Sequence, residues 1–189
     1  DYTNHITNFN NYLKELVNTG TMNHATELVE IPKLLISETR TSIQFFDMIH
    51  NLRQIDDPIF AHSLNVAMIA RMLGKWLNFS EEDLDTLTLA AALHDVGKFL
   101  IPSDILNKKE KLTDNEFALI KQHPVLGYDL LKELNIDYHV KQAALSHHER
   151  CDGSGYPLGL KTNEIDDHAM IISIADVYDA MTSARKYRT

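Results

Sequence analysis

Apolar residues recur at three- and four-residue spacing along nearly the whole chain, and strict alternation is almost absent. That pattern predicts helices throughout and no convincing sheet. Residues 4–18, 24–36 and 38–54 read as helices, with Asn18-Thr19-Gly20 as the first break and Pro32 marking a kink or a new start in the second. The sharpest start is DDPIFAHSLNVAMIARMLGKWL, where Asp57 serves as N-cap and Pro58 takes the first helical position. Ser80 and Asp83 open the next helix in the manner of a capping box, and it runs through LTLAAALHDVG to a stop at Gly97. After a loop holding Pro102 come TDNEFALIKQ, HPVLGYDLLKEL and YHVKQAALSHHE, the last ended by CDGSGYPLGL. A final helix follows in DDHAMIISIADVYDAMTSARKY. The expected class is all-α, with about nine helices.

Composition narrows this picture. At 189 residues and 44% hydrophobic, the chain suits one domain with a well-buried core, or a small helical N-terminal element followed by a main domain. Twenty-seven acids against eighteen Lys and Arg give a formal charge of -9, which disfavours duplex nucleic acid because its phosphates would be repelled. An anionic small substrate held by a local cluster of cations is not excluded. Cys151 is the sole cysteine, so no internal disulfide and no Cys-based zinc motif is expected, and a reducing, cytoplasmic setting fits. No run approaches the length of about eighteen apolar residues that a membrane helix needs, and no signal peptide opens the chain. The Asp at position 1 and the ending ARKYRT read as cuts in a longer protein.

The chemistry is concentrated in the histidines, of which there are ten. His62 follows a helix start by about one turn. His94 and Asp95 adjoin near the end of an apolar helix, His123 precedes Pro124 at a helix junction, and His147 and His148 end another helix. Any one of these, alone, is more simply a capping or surface histidine. Asp95 and Asp176 differ, because each lies in an apolar run where an unpaired carboxylate would cost several kcal/mol, so each requires a cationic partner. A pair of divalent metals is the simplest partner for five histidines and two aspartates, and that donor set suits Fe, Mn, Zn, Co or Ni.

The ordered set (His, then HDVGK, then His-Pro, then His-His, then Asp) resembles the HD superfamily of metal-dependent phosphohydrolases. HHERCDGSGYP is similar to the signature of its HD-GYP branch, bacterial phosphodiesterases of cyclic dinucleotides, chiefly cyclic di-GMP. HDVGKFLIPSDILNKKEKLTDNEF, IKQHPVLGYDLL and ISIADVYDAMTSARKYR extend the likeness over residues 55–189. The resemblance implies an HD-type helical bundle with a metal site in its core, preceded by extra N-terminal helices (1–54) that act as a connector or a docking extension. It implies His62, His94, Asp95, His123, His147, His148 and Asp176 as ligands of two divalent ions, Fe or Mn foremost, with Zn, Ni, Co and Mg also compatible. Asp95 is the implied bridge, and a hydroxide shared by the ions is the implied nucleophile that opens cyclic di-GMP to linear pGpG, and on to GMP. Lys98 is implied in catalysis and phosphate contact, Arg185 and Arg188 in contact with phosphate or guanine, and Tyr156 in contact with substrate or with a diguanylate cyclase (GGDEF) domain. A homodimer is among the expected assemblies. Asp152, and less strongly Glu149, is expected to hydrogen-bond the free nitrogen of a ligand histidine. Alternatives are another cyclic dinucleotide or nucleotide as substrate, or a signalling module that binds nucleotide or partner with little turnover.

Some positions depart from the family pattern. Members that bind a third metal use a Glu four residues before the first histidine, and here that place is Pro58, so two ions are expected. Lys186 stands where the RPYR-like segment has proline, Met170 where an arginine is frequent, Lys109-Glu110 where Pro-Gly is common, and Thr162 where a loop glycine is frequent. None is an implied ligand.

Overall fold

A computed structural model describes residues 2–55 and 57–183, with side chains from Asn4 onward. Its helices are α1 (Tyr2–Thr19), α2 (Ala25–Ser37), α3 (Ser42–Leu52), α4 (Pro58–Trp76), α5 (Glu81–Leu93), the four-residue α6 (Ser103–Leu106), α7 (Asp114–Ile120), α8 (His123–Leu131), α9 (Tyr138–Ser146) and α10 (Asp167–Thr182). Two 3₁₀ turns, Val96–Leu100 and Thr162–Glu164, complete the order. Among the described residues there is no strand, only one isolated bridge between Asp152 and Lys161. The chain is all-α, as its periodicity predicts.

Caps set several boundaries. Asp57 accepts from the Phe60 N–H at 3.4 Å with Pro58 next to it, and the Ser80 hydroxyl accepts from the Asp83 N–H at 3.1 Å. Thr113 and Glu116 form a reciprocal capping box on α7. Thr41, accepting from the Gln44 N–H at 3.2 Å, delays α3 to residue 42, later than the expected 38. Pro32 neither breaks nor restarts α2, which runs through it.

α4 and α5 pack as a central pair, with α9, α10 and α2 around them. Buried residues surround α4 on nearly every side, from Phe60 through Gly74, which is the pattern of a helix enclosed by others rather than one lying on a surface. The two axes approach closely because Gly74 has no side chain. A Cβ there would lie 2.8 Å from methyl carbons of both Leu84 and Leu87. Arg71, 2% exposed, is held in this crossing by Glu81 and Asp85, each at 2.8 Å, and by the Thr88 hydroxyl at 3.0 Å. The apolar core is continuous from Ile6, Phe9, Leu13 and Leu16 of α1 through Leu64, Leu87 and Leu93 to Val140 of α9 and Ile172 of α10. It does not pause between residues 54 and 55.

Gly97 was expected to stop α5. Instead α5 ends at Leu93, and Gly97 sits in the 3₁₀ turn that follows. Its role is close approach to α8. A Cβ on Gly97 would lie 2.0 Å from the His123 carbonyl oxygen and 2.6 Å from the Gly127 nitrogen. Backbone meets backbone there, so only glycine fits.

Candidate metal centre

Five segments deliver seven side chains to one buried place. α4 presents His62 from its second turn. The end of α5 presents His94 and Asp95, and α8 begins with His123. The end of α9 supplies His147 and His148, and the middle of α10 supplies Asp176. They form two groups of potential donor atoms, His62 with His94 and Asp176, and Asp95 with His123, His147 and His148, each group lying within 4.8 Å. Asp95 stands between them. Its Oδ2 faces His62 Nε2 at 3.5 Å and His94 Nε2 at 3.4 Å, while its Oδ1 faces His123 Nε2 at 3.2 Å and His147 Nε2 at 3.5 Å. His62 Nε2 also lies 3.1 Å from Asp176 Oδ1, and His148 Nδ1 lies 4.0 Å from Asp176 Oδ2. Lys98, one turn beyond Asp95, brings its ammonium onto Asp95 Oδ2.

What lies behind the imidazoles fixes their tautomers. Nδ1 of His94 contacts the Ala91 carbonyl at 2.7 Å, Nδ1 of His123 the Ile120 carbonyl at 2.7 Å, and Nδ1 of His147 the Ala143 carbonyl at 2.9 Å. A carbonyl only accepts, so each Nδ1 carries the hydrogen and each neutral ring turns its Nε2 lone pair toward the centre. His123 and His147 consequently face one another at 3.3 Å with two lone pairs, an arrangement that repels unless a proton or a cation lies between them. His94 Nε2 and Asp95 Oδ1 are buried with no hydrogen-bond partner among the described residues. Orphaned acceptors of this kind cost about 1–3 kcal/mol each, and divalent ions would satisfy both. The donor set therefore fits a metal centre of imidazole and carboxylate ligands.

The titration behaviour agrees. Burial pushes the His147 pKa down to about 4, only partly opposed by Asp95. Burial likewise lowers His148, reinforced by the neighbouring His147. Both rings are neutral near pH 7, the ligating form. Burial alone would raise the Asp95 pKa, but the Lys98 ammonium beside it outweighs burial and holds the carboxyl well below its usual range. Burial opposes charge on His62 as well, yet the Asp176 and Asp179 carboxylates prevail and raise it to about 9. Binding a cation at His62 therefore displaces a proton.

Asp179 is the residue that sequence reasoning missed. Its Oδ2 meets His62 Nδ1 at 2.7 Å, and its Oδ1 accepts from Arg53 (3.1 and 2.7 Å) and from the Asn65 amide at 3.1 Å. The available signal was a second acid in the apolar stretch IADVYDAM, one turn after Asp176. Asp152 was expected in such an orienting role, and the structure corrects this. Asp152 is exposed and accepts from Ser154 N–H at 2.9 Å and Ser154 Oγ at 2.6 Å, an Asx turn within its own loop. Glu149 does not orient a histidine either. It accepts from the backbone N–H groups of Leu158 (2.7 Å), Gly159 (3.1 Å) and Leu160 (2.9 Å), folding the GYP loop back against the end of α9.

That loop covers one side of the centre. The Tyr156 ring stacks on His148 with centroids 4.8 Å apart, and Lys121 Nζ sits 4.8 Å above the same ring. Gly155 allows the fold-back, since a Cβ there would lie 2.4 Å from Arg150 N and Glu149 Cα. Arg185 and Arg188 lie outside the described residues.

The sequence matches the profile of the HD domain family over residues 25–189. The chain belongs to that family, and its residues 94–95 and 155–157 read His-Asp and Gly-Tyr-Pro. It is 44% identical over 122 residues to the cyclic di-GMP phosphodiesterase response regulator RpfG of Xanthomonas campestris, covering 64% of this chain and 32% of that protein. It is 36% identical over 166 residues to a cyclic di-GMP phosphodiesterase of Pseudomonas aeruginosa, covering 87% and 39%. A 3'3'-cGAMP-specific phosphodiesterase of Vibrio cholerae is 41% identical over 129 residues, covering 68% and 30%. The chain thus spans about a third of the length of these relatives. In three dimensions it resembles Bd1817, an HDG"Y"P protein from Bdellovibrio bacteriovorus, with a TM-score of 0.78 at 22% identity over 94% of this chain and 58% of that one. That likeness bears on the fold alone.

Proposed function

We propose that this chain is a metal-dependent phosphodiesterase that opens cyclic di-GMP to linear pGpG, and on to GMP. The observation that carries the reading is the division of Asp95, with one oxygen toward His62 and His94 and the other toward His123 and His147. A carboxylate so placed is suited to bridge two ions. His62, His94 and Asp176 would hold one, and His123, His147 and His148 the other, with Fe or Mn preferred. Two bound ions supply Lewis acidity at the phosphate and a nucleophilic water at neutral pH.

The chain's own groups do the remaining work. The carbonyls behind His94, His123 and His147 keep the ring hydrogens on Nδ1, and Asp179 orients His62. Lys98, with its ammonium at Asp95, is placed to contact a phosphate oxygen and to hold a proton toward the departing ribose 3′ oxygen. Tyr156, stacked on His148, offers an aromatic wall beside the centre, while Arg185 and Arg188 are proposed to hold substrate phosphate or guanine. The names of the relatives support a cyclic dinucleotide, and the cGAMP-specific protein makes 3'3'-cGAMP the second substrate to test.

Among the described residues no helix is long and apolar enough to cross a membrane. A cytoplasmic location, self-association as a homodimer and docking of a GGDEF domain on the GYP loop complete the proposal. The test is incubation of metal-loaded protein with cyclic di-GMP and 3'3'-cGAMP in parallel, beside metal analysis. Linear product and about two ions per chain are expected, and Asp95→Ala should lose both. Protein that binds the nucleotide without cleaving it would overturn the enzymatic reading.

A further inference from the structure

A second group of donor side chains lies apart from the centre, where the N-terminal ends of α9 and α10 meet. His139 is in the first turn of α9, and Asp166 and His168 flank the start of α10. Their donor atoms lie within 4.8 Å of one another. Asp166 divides its carboxylate. Oδ1 caps α10 by accepting from the His168 N–H at 2.9 Å, and Oδ2 meets His139 Nδ1 at 2.6 Å. The two imidazoles stack with centroids 4.2 Å apart and planes 22° from parallel.

His168 is the anomaly. It is 6% exposed, with Phe79 packed at a centroid distance of 5.7 Å, and neither of its ring nitrogens has a hydrogen-bond partner among the described residues. Its Nδ1 points toward the cluster, 3.8 Å from Asp166 Oδ1. A buried imidazole normally satisfies at least one nitrogen, so this one calls for a missing partner. Charge on the ring is not that partner, because burial, assisted by His139, lowers its pKa against the opposing pull of Asp166, Asp83 and Asp137. The ring is a neutral base with its lone pair free.

We propose that His139, Asp166 and His168 form a separate binding site for a divalent transition metal of the zinc type, joining the start of α9 to the start of α10. Two imidazoles and a carboxylate are a known zinc ligand set that leaves one position for water. Tetrahedral coordination requires donor atoms about 3.3 Å apart, given zinc bonds of about 2.0–2.1 Å, so the cluster must tighten. His139 can move to do this, because its side chain is 42% exposed. The ion would pin together two helices that carry His147 and His148 at one end and Asp176 in mid-course, while adding no ligand to the centre.

The test is titration of the full chain with Zn²⁺, followed through the ring-nitrogen NMR signals of His139 and His168 and through the number of ions bound. One ring nitrogen of each residue should move to a metal-bound position at micromolar Zn²⁺. His139→Ala, a change at a half-exposed position that keeps the fold as judged by circular dichroism, should bind one ion fewer. Loss of a direct ligand should weaken that site by at least the roughly 10–100-fold that loss of an orienting partner causes. The signals of His94, His123 and His147 should respond to metal equally in both proteins. Equal stoichiometry in wild type and His139→Ala, or His139 and His168 signals that move only at millimolar Zn²⁺, would overturn the proposal.

Discussion

Asp179 shows how one side chain can serve stability and chemistry together. Its carboxylate ties His62 of α4 to Arg53 at the end of α3, and burial, which would raise its pKa, is outweighed by those two neighbours. Asp179→Asn keeps the shape but removes the charge that orients the His62 ring. Metal affinity is expected to fall about 10–100-fold, measured by competition with a chelator, with circular dichroism unchanged. Asp95→Asn acts differently, because it weakens the buried carboxylate that stands between the two histidine sets, and loss of both ions is expected. The seven candidate ligands were legible from their order along the chain. Asp179 was not, because its role depends on Arg53 and His62, more than a hundred residues away in sequence.

Single elements hold the centre in position through backbone contacts. Gly97 lets the 3₁₀ turn after Asp95 touch the start of α8, so Gly97→Ala drives a methyl into the His123 carbonyl. Overpacking usually costs about 1–3 kcal/mol, and neither backbone segment can yield cheaply here. A lower thermal midpoint and weaker metal retention are expected together. The GYP loop depends on Glu149 in the same way. Glu149→Ala leaves three N–H groups without their acceptor, and amide exchange at Leu158, Gly159 and Leu160 should accelerate. The loop and its glycines are evident in the sequence, whereas Asp152, the residue expected to orient a histidine, stays in its own turn.

α7 offers a pH test. Lys108, with both Glu116 oxygens at 2.7 Å from its Nζ, and the Thr113 backbone hold the Glu116 pKa down to about 2 from 4.5. A depressed folded value means the stabilisation is fully present above pH 4.5 and is lost as pH falls through 2. Carboxyl NMR should place the Glu116 midpoint near the lower value, and Lys108→Ala should move it upward.

Over the whole molecule, the first three helices are part of the core. Phe9, Leu13, Leu16, Leu28, Leu35, Ile49 and Leu52 are each at most 1% exposed. Burying such a side chain contributes about 1.5–3 kcal/mol, so the set contributes on the order of 10 kcal/mol, comparable with the whole stability of an ordinary domain. A fragment beginning at residue 55 would lose that burial along with the Arg53 contact to Asp179. It is expected to lose its cooperative thermal transition in calorimetry. A fragment that melts like the full chain would show residues 1–54 to be a dispensable extension.

The helical class follows from a 3.6-residue period that any helix must show if one face is buried. The Asp57 and Ser80 caps and the identity of the clustered histidines and aspartates are likewise readable along the chain, because these are local or ordered features of a linear text. Tertiary packing sets which oxygen of Asp95 faces which histidines, that the Asp179 carboxylate holds His62 from behind, and that His139 and His168 meet. Those facts depend on the angles at which helices cross and on backbone approaches that only glycine permits. The pair of histidines ending α9 shows the division. Their adjacency is written in the sequence and the Ala143 carbonyl behind His147 lies within α9 itself, whereas the tyrosine stacked on His148 arrives only once the loop after α9 has folded back.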